Sequence, residues 1–208
     1  MCLIIHKPAG RRIAGDLLEA ALSLNGDGFG LMGARADGRL LLVRRPRIAL
    51  DELLALESDL READYVLHLR QRTRGDTGVH NVQPFRVASQ TWLMHNGTLH
   101  SLPSNVPGRS DSWHLVQHLL RPLAQRRSGV LLDNAFLRLL ELAVGPENKL
   151  ALFDFAAQRF VLINQEYGAE LDGLWLSSTR WIDHRLLPLA DTPQPQERSF
   201  LPEEVHFL

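Results

Sequence analysis

Cys2 is the residue whose type and position best suit covalent chemistry, since it follows the initiator methionine and is the single cysteine among 208 residues. A small second residue permits removal of Met1, and the mature chain would then begin with a thiol and a free α-amine on one residue. The ordinary pKa is about 8 for the amine and about 8.5 for the thiol, so a neutral amine that can take the proton from sulfur is accessible at neutral pH. The position therefore predicts a nucleophile that carries its own base, although burial in a first strand would explain the cysteine by packing alone.

Donors for a developing negative charge are predicted at the end of an apolar run. Residues 95–98 read His-Asn-Gly-Thr and follow the apolar residues 92–94, which places the amide of Asn96 and the backbone N–H of Gly97 at the exit of a strand. Attack on a carboxamide puts negative charge on its oxygen, and one preorganised donor facing that charge lowers the barrier by roughly 3 to 4 kcal/mol. An Asn-Gly pair between apolar runs is also typical of a type I′ hairpin turn, so the residues alone leave both interpretations open.

Two charged residues could hold both ends of an amino acid. Arg70 ends a predicted strand, where its planar guanidinium could bind a carboxylate through two parallel hydrogen bonds. Asp111 follows the predicted helix cap Ser110, where its carboxylate could accept an ammonium group. Each residue also has a plainer interpretation, because Asp111 complements the helix dipole and Arg70 suits a surface ion pair.

The elements that must position these residues follow from hydrophobic periodicity. Helical spacing of apolar residues predicts helices at 13–24, 50–60, 110–123 and 134–142. Strands are predicted at 2–5, 29–34, 40–44, 65–69, 91–95, 149–155, 159–164 and 174–177. Short turns join several of these strands, and residues 70–85 form a long polar loop of the kind that usually carries function. We therefore expect an α+β fold in which helices cover antiparallel sheets.

Composition restricts the class of partner. A formal net charge of -1 gives no overall field for nucleic acid or anionic lipid, so a small-molecule partner and no nucleic acid are expected. With 45% hydrophobic and 23% charged residues, the chain is expected to fold as one domain over residues 1–208. No apolar stretch reaches the roughly 18 residues of a membrane span and no signal-peptide pattern is present, so we expect no membrane association and a cytoplasmic protein.

One spacing could indicate a metal site. His114 and His118 lie four residues apart on a predicted helix, which can bring two imidazoles to one zinc ion. The glutamate that makes this motif catalytic is absent, since Leu115 follows His114. A partly exposed helix face accounts for the pair, and neither a metal nor another cofactor is expected.

Short motifs with a characteristic order and spacing include most of these candidates: Cys2, residues 25–30 (Asn-Gly-Asp-Gly-Phe-Gly), 68–70 (His-Leu-Arg), 84–85 (Pro-Phe), 95–98 and 110–111 (Ser-Asp). In this order the first half of the chain resembles the class II glutamine amidotransferases, and residues 149–153 extend the similarity. It is closest to the small stand-alone members, which carry no fused synthase domain. The resemblance implies an N-terminal nucleophile hydrolase fold, a four-layer αββα sandwich with two antiparallel sheets.

The resemblance also implies a role for each matching position. Cys2 would be the nucleophile and its amine the base, while Asn96 and Gly97 would form the oxyanion hole. The substrate-binding positions would be Arg70 for the α-carboxylate of glutamine, Asp111 for its α-amine, and the neighbouring Gln71 and His95. The thiolate would attack the side-chain amide, ammonia would leave, and water would hydrolyse the γ-glutamyl thioester to glutamate.

Three positions depart from the better-known members of that family. Gln71 stands where they carry an aromatic or small residue, and Arg74 and Gln83 stand where histidine is common. These changes fall on the substrate side, so the amide donor could be glutamine or another γ-glutamyl amide. Two alternatives remain open: a catalytically silent binding module on the same fold, and a glutaminase subunit that passes ammonia to a separate acceptor synthase.

Overall fold

The computed structural model describes residues 2–102 and 105–180, and the strands within them form two antiparallel sheets. The strands are β1 (Leu3–Lys7), β2 (Phe29–Ala34), β3 (Leu40–Arg45), β4 (Asp64–Leu69), β5 (Phe85–Arg86), β6 (Thr91–Asn96), β7 (Lys149–Asp154), β8 (Arg159–Ile163), β9 (Ala169–Leu171) and β10 (Leu174–Leu176). The helices are α1 (Gly15–Leu24), α2 (Leu50–Asp59), α3 (Asp111–Leu115), α4 (Arg121–Arg126) and α5 (Asn134–Val144). The first sheet has the strand order β3-β2-β4-β1-β10-β9, and the second has the order β5-β6-β7-β8.

Alternation along the first sheet sends successive side chains to opposite faces. Leu3 and Ile5 of β1 share a buried cluster with Leu17 of α1 and Leu53 of α2. Ile4, which lies between them in sequence, belongs to the cluster between the two sheets. The first sheet is therefore covered by α1 and α2 on one face and by the second sheet on the other.

The second sheet repeats this arrangement with the other helices. Met94 of β6 lies in the cluster between the sheets. Its neighbour Leu93 and Leu150 of β7 pack instead with Leu115 of α3 and Leu140 of α5. Helices, sheet, sheet and helices form four successive layers, so the predicted α+β fold with two antiparallel sheets is confirmed.

The differences from the predicted elements have local causes. β1 runs from Leu3 to Lys7 and ends two positions beyond its predicted end. The prediction fell short because Lys7, a residue type that is rarely buried, is buried within the strand. α3 continues through the π-helical turn Val116–Leu120 into α4, so the predicted helix at 110–123 extends to Arg126. β5 and β9 contain 2 and 3 residues, too few for alternation to reveal them. None of the helices in the described ranges is long and apolar enough to cross a membrane.

Lys7 stabilises the chain at the end of α2 through hydrogen bonds, so its replacement should lower the stability of the protein. Its ammonium donates to the carbonyls of Leu60 at 3.1 Å, Arg61 at 2.6 Å and Ala63 at 2.9 Å, just after the helix ends. Lys7→Met would leave these carbonyls without their donor, so we expect the free energy of unfolding to fall by about 2 to 3 kcal/mol. Urea denaturation measures this loss.

Arg61→Met is the matched control, because it removes an exposed cation from the same turn and leaves the backbone carbonyl in place. Its expected effect is within about 0.5 kcal/mol of zero. Equal destabilisation by the two substitutions would show that Lys7 contributes only its charge and not its three hydrogen bonds.

Candidate active site

Three strands of the first sheet bring residues distant in sequence to one edge. β1 pairs antiparallel with β4 and with β10, so the start of β1 lies beside the ends of both neighbours. Cys2 precedes β1, Arg70 follows β4, and Ser177 follows β10. Since β1 is the middle strand, Arg70 lies level with Cys2 on one side of it, and Ser177 lies level with Ile4, two residues further along, on the other side. A hydrogen bond of 2.9 Å from the backbone N–H of Ser177 to the carbonyl of Ile4 extends the pairing to this edge.

Asn96, the last residue of β6, belongs to the second sheet and lies at the same edge. Arg70 and Asn96 point between the sheets, since each is an even number of residues from a side chain of the inter-sheet cluster, Val66 and Met94 respectively. Asn96 and the first sheet are in direct contact, because the amide nitrogen of Asn96 donates to the hydroxyl of Ser177 at 2.8 Å. The candidate site therefore lies where the two sheets meet.

The thiol of Cys2 is half-buried and has charged neighbours of both signs. Its sulfur donates a hydrogen bond to the carbonyl of Gln71 at 3.4 Å. Burial raises the pKa of the Cys2 thiol, the hydrogen bond to Gln71 and the charge of Arg70 lower it, and the charge of Asp111 raises it. These influences require proximity, so the structure brings Cys2, Arg70, Gln71 and Asp111 into one neighbourhood.

Arg70 is 3% exposed and only part of its guanidinium is used by the protein. Nη2 donates to the carbonyls of Arg74 at 3.2 Å and Asp76 at 2.8 Å. Nη1 is buried and finds no hydrogen-bond partner among the described residues. A buried donor without a partner is costly, and a carboxylate is the ligand that best satisfies a guanidinium edge. The alternative interpretation of Arg70 as part of a surface ion pair is therefore wrong, because the residue is buried and has a free donor.

Asn96 is held by Ser177, a residue that the sequence did not single out. The Ser177 hydroxyl accepts both the amide of Asn96 at 2.8 Å and the backbone N–H of Ile4 at 2.8 Å. Because an amide nitrogen carries two hydrogens, Asn96 keeps one donor beyond the bond to Ser177. This arrangement fixes the orientation of a donor at the sheet edge beside Cys2.

The hairpin interpretation of Asn96-Gly97 is wrong. β6 pairs with β5 and with β7, whose first residue is Lys149, and the chain after Gly97 leads to α3 instead of a strand. Gly97 has φ +143°, and an added Cβ would overlap the side chain of Asn148. The glycine is therefore required by close packing against Asn148.

His95 lies on the opposite face of β6 from Asn96. Its ring is buried and contacts the Ser112 hydroxyl at 2.7 Å and the Asn148 amide oxygen at 3.0 Å. Burial lowers the pKa of His95, so the ring is neutral at ordinary pH. The structure thus places His95 behind the strand, where it supports Asn148 and, through it, Gly97.

Asp111 is buried at the first turn of α3. One carboxylate oxygen accepts the backbone N–H of Leu99 at 2.7 Å, and the other accepts that of Ser112 at 2.9 Å. The predicted cap is confirmed, since the Ser110 hydroxyl accepts the N–H of Trp113 at 3.2 Å. Each carboxylate oxygen retains a second lone pair, so Asp111 can hold the segment after Gly97 and still accept an ammonium group.

The long loop after Arg70 is tied to the start of α3 by Asn81, which sequence reasoning missed, and to β6 by Gln83, which it assigned to the substrate side. The Asn81 amide donates to the carbonyls of Asp76 at 3.0 Å and Gly108 at 2.7 Å and accepts the N–H of Ser110 at 2.8 Å. Gln83 bonds to the backbone N–H and carbonyl of His95. These bonds fix the spacing between the Arg70 and Asp111 sides of the site. In the sequence, the available signal for these contacts was the presence of amide side chains in a long polar loop.

His68 is buried beside the site, and both ring nitrogens lack a hydrogen-bond partner in the described part of the chain. Burial, the largest cause, and the nearby charge of Arg70 lower its pKa from 6.5 to about 3. The folded protein keeps the ring neutral while the unfolded chain protonates it near the ordinary value. Stability is therefore lost as pH falls from about 6.5 towards 3.

His68→Leu removes that contribution. We expect the unfolding free energy of the parent to decline more steeply than that of the variant, by roughly 1 kcal/mol per pH unit below about pH 6. Urea titrations at several pH values measure both slopes, and the other buried histidines contribute equally to the two proteins. Parallel slopes would mean that His68 is protonated in the folded state.

His114 of α3 and His118 of the following π-helical turn pack against each other. The rings of His114 and His118 stack at 5.3 Å and pack edge-on against Trp113. Within the described ranges, no group of three or more His, Cys, Asp or Glu side chains could hold a metal ion. The pair is accounted for by aromatic packing.

Comparison with known families identifies the class of protein. The family described as class II glutamine amidotransferases matches residues 36–155, more than half of the chain. The chain therefore belongs to the class II glutamine amidotransferases. The matched segment contains Arg70, Asn96, Gly97 and Asp111 and begins after Cys2.

Solved structures that match the chain include a glutamine phosphoribosylpyrophosphate amidotransferase from B. subtilis, at 15% identity and a TM-score of 0.47. The alignment covers 87% of this chain and 42% of that one, so the chain spans less than half the length of that enzyme. Another is a glutamine aminotransferase class-II domain protein from Silicibacter pomeroyi, at 21% identity and a TM-score of 0.39, covering 74% and 73% of the two chains. A search of curated proteins gave no match.

Proposed function

We propose that the protein hydrolyses the amide bond of glutamine or a related γ-glutamyl compound, with Cys2 as the nucleophile. The observation that carries the proposal is the position of Cys2 at the meeting of the sheets, between the unpaired guanidinium donor of Arg70 and the amide of Asn96. These are the groups needed to hold a carboxylate, to attack a carbonyl and to stabilise an oxyanion.

Substrate binding is assigned to the side of Cys2 nearer β4. The free nitrogen of Arg70 would pair with the α-carboxylate, and the Asp111 carboxylate would accept the α-ammonium group. Arg70 lowers and Asp111 raises the pKa of Cys2, which supports their placement around one bound zwitterion. A γ-glutamyl chain anchored at its α-carbon would direct its amide towards the sulfur.

The chemical steps follow from ordinary acyl transfer. The sulfur of Cys2 bonds to the amide carbon while the α-amine takes the thiol proton, and the negative oxygen is held by the amide of Asn96 and the N–H of Gly97. The carbon–nitrogen bond then breaks, and the departing nitrogen receives the proton. Water hydrolyses the γ-glutamyl thioester, which gives glutamate and restores the thiol.

This mechanism requires that Met1 be absent, because an α-amine within a peptide bond cannot act as a base. We expect the intact mass of the active protein to correspond to a chain that begins at Cys2. A fully active protein that retains Met1 would remove the amine from the mechanism and leave the thiol to another base.

The direct test incubates purified protein with each compound and identifies by chromatography the amino acid released: L-glutamate from glutamine and γ-glutamyl amides, aspartate from asparagine, and D-glutamate from D-glutamine. Asparagine and D-glutamine are matched controls, since the first shortens the distance from the α-carbon to the amide and the second exchanges the α-groups held by Arg70 and Asp111. Glutamate release from the L-γ-glutamyl compounds alone is the expected result. Binding without any release would instead favour a silent binding module on the same fold.

A further inference from the structure

A cavity of about 250 Å³ adjoins Asn96 and Ser177 at the same sheet edge. Asn96 and Ser177 are buried in its wall, Lys149 is half-buried, and Glu147 and Arg180 are exposed at its opening. The strand order fixes the side on which it lies. β4 and β10 flank β1, so the Ser177 cavity is across Cys2 from Arg70.

The charges of this cavity favour an anion. Lys149 is the cross-strand neighbour of Asn96, and both residues line the cavity. No carboxylate among the described residues lies within ion-pair distance of Lys149, whereas Arg180 is 3.9 Å from Glu147. Two cations and one carboxylate leave the cavity net positive. Burial lowers the pKa of Lys149 and Glu147 raises it, which agrees with a lysine partly removed from water.

The orientation of the substrate decides which group would enter the cavity. With the α-carbon of a γ-glutamyl chain held near Arg70, the carbonyl carbon lies at Cys2 and the substituent on the amide nitrogen extends towards Ser177. Ammonia, the leaving group of glutamine, has no substituent to occupy this space. An amine that carries a carboxylate would fill it and satisfy Lys149.

We propose that the cavity binds the carboxylate of an amino-acid leaving group, so that the preferred substrate is a γ-glutamyl peptide and not free glutamine. This inference rests on the proposed function, because it takes the orientation of the γ-glutamyl chain from it. In the reaction the Cys2 sulfur–carbon bond forms, the isopeptide carbon–nitrogen bond breaks, and the released amino group takes the proton first held by the thiol. Water then cleaves the thioester, and the products are glutamate and an amino acid.

The test measures binding without turnover. Cys2→Ala protein is titrated calorimetrically with γ-glutamylglycine and with γ-glutamylglycinamide, which differ only in the carboxylate. We expect the carboxylate ligand to bind about tenfold more tightly, as for one charge-assisted hydrogen bond. Lys149→Gln in the same background is expected to bring the two affinities together, and Lys149→Arg to restore most of the difference.

Arg159→Gln is the matched control, since it removes an exposed cation from the far end of the β7–β8 hairpin. It is expected to leave the tenfold ratio in place. Equal binding of the two ligands by Cys2→Ala, no binding of either, or a ratio unchanged by Lys149→Gln would each overturn the inference. Failure of the proposed function shows separately, as parent protein that releases no glutamate from any γ-glutamyl compound.

Discussion

Replacing Cys2 by alanine is expected to lower kcat/KM for γ-glutamyl amide hydrolysis by at least roughly 10⁴-fold, because the step that forms the thioester is lost. The amide of Asn96 and the guanidinium of Arg70 remain in place, so the residual rate reflects substrate binding and oxyanion stabilisation alone. Glutamate release at saturating and at low substrate measures kcat and kcat/KM separately. The loss should appear mainly in kcat.

The fold should tolerate this substitution. The Cys2 sulfur is half-buried and makes one long hydrogen bond, 3.4 Å to the carbonyl of Gln71, so little stability depends on it. Cys2→Ser is the conservative control, because it keeps the size and the hydrogen bond while replacing the better nucleophile. Hydrolysis that survives in both folded variants would assign the nucleophile to another group.

Replacing Asn96 by alanine is expected to have the second large effect on the reaction rate. Loss of one preorganised oxyanion donor is expected to lower kcat by about 10² to 10³-fold, with KM changed much less because Arg70 and Asp111 still hold the substrate. Steady-state kinetics with the parent as reference measure the division between kcat and KM. A rise in KM at constant kcat would place Asn96 in ground-state binding.

Ser177→Ala tests how Asn96 is held. The substitution removes the acceptor at 2.8 Å and leaves the amide of Asn96 free to rotate, so a smaller fall in kcat, about tenfold, is expected. Ser177→Thr keeps the hydroxyl and should recover most of the loss. Ser177 is a positioning residue in this account, and an effect on KM alone would contradict that role.

Much of the architecture is contained in local sequence patterns. Short apolar runs identify β2, β4 and β6, and the alternation of side-chain direction along β6 places Asn96 on the inward face of its strand once Met94 is recognised as core. The same alternation requires His95 to face the helices. The sequence therefore already indicated that His95 does not line the site, but its place beside Asn96 in the motif at 95–98 suggested otherwise. Adjacent residues of one strand cannot both line the same pocket.

The full set of residues that form the site could not be predicted from local sequence patterns. Ser177 bonds to Ile4 across 173 positions and to Asn96 across 81, and neither contact follows from local spacing. Both depend on the order β4-β1-β10, in which the last strand of the sheet joins the first. Arg70 shows the same limit, because a strand-end arginine could serve at the surface until its burial and free donor are seen.

Covalent capture shows directly whether Cys2 is the nucleophile. The protein is treated with a glutamine analogue in which a chloroketone replaces the amide, and its peptides are then sequenced by mass spectrometry. We expect one adduct on the sulfur of Cys2, in a peptide that begins at that residue, with protection by excess glutamine or γ-glutamylglycine. An active protein with no adduct at Cys2, or with labelling unaffected by either substrate, would contradict it.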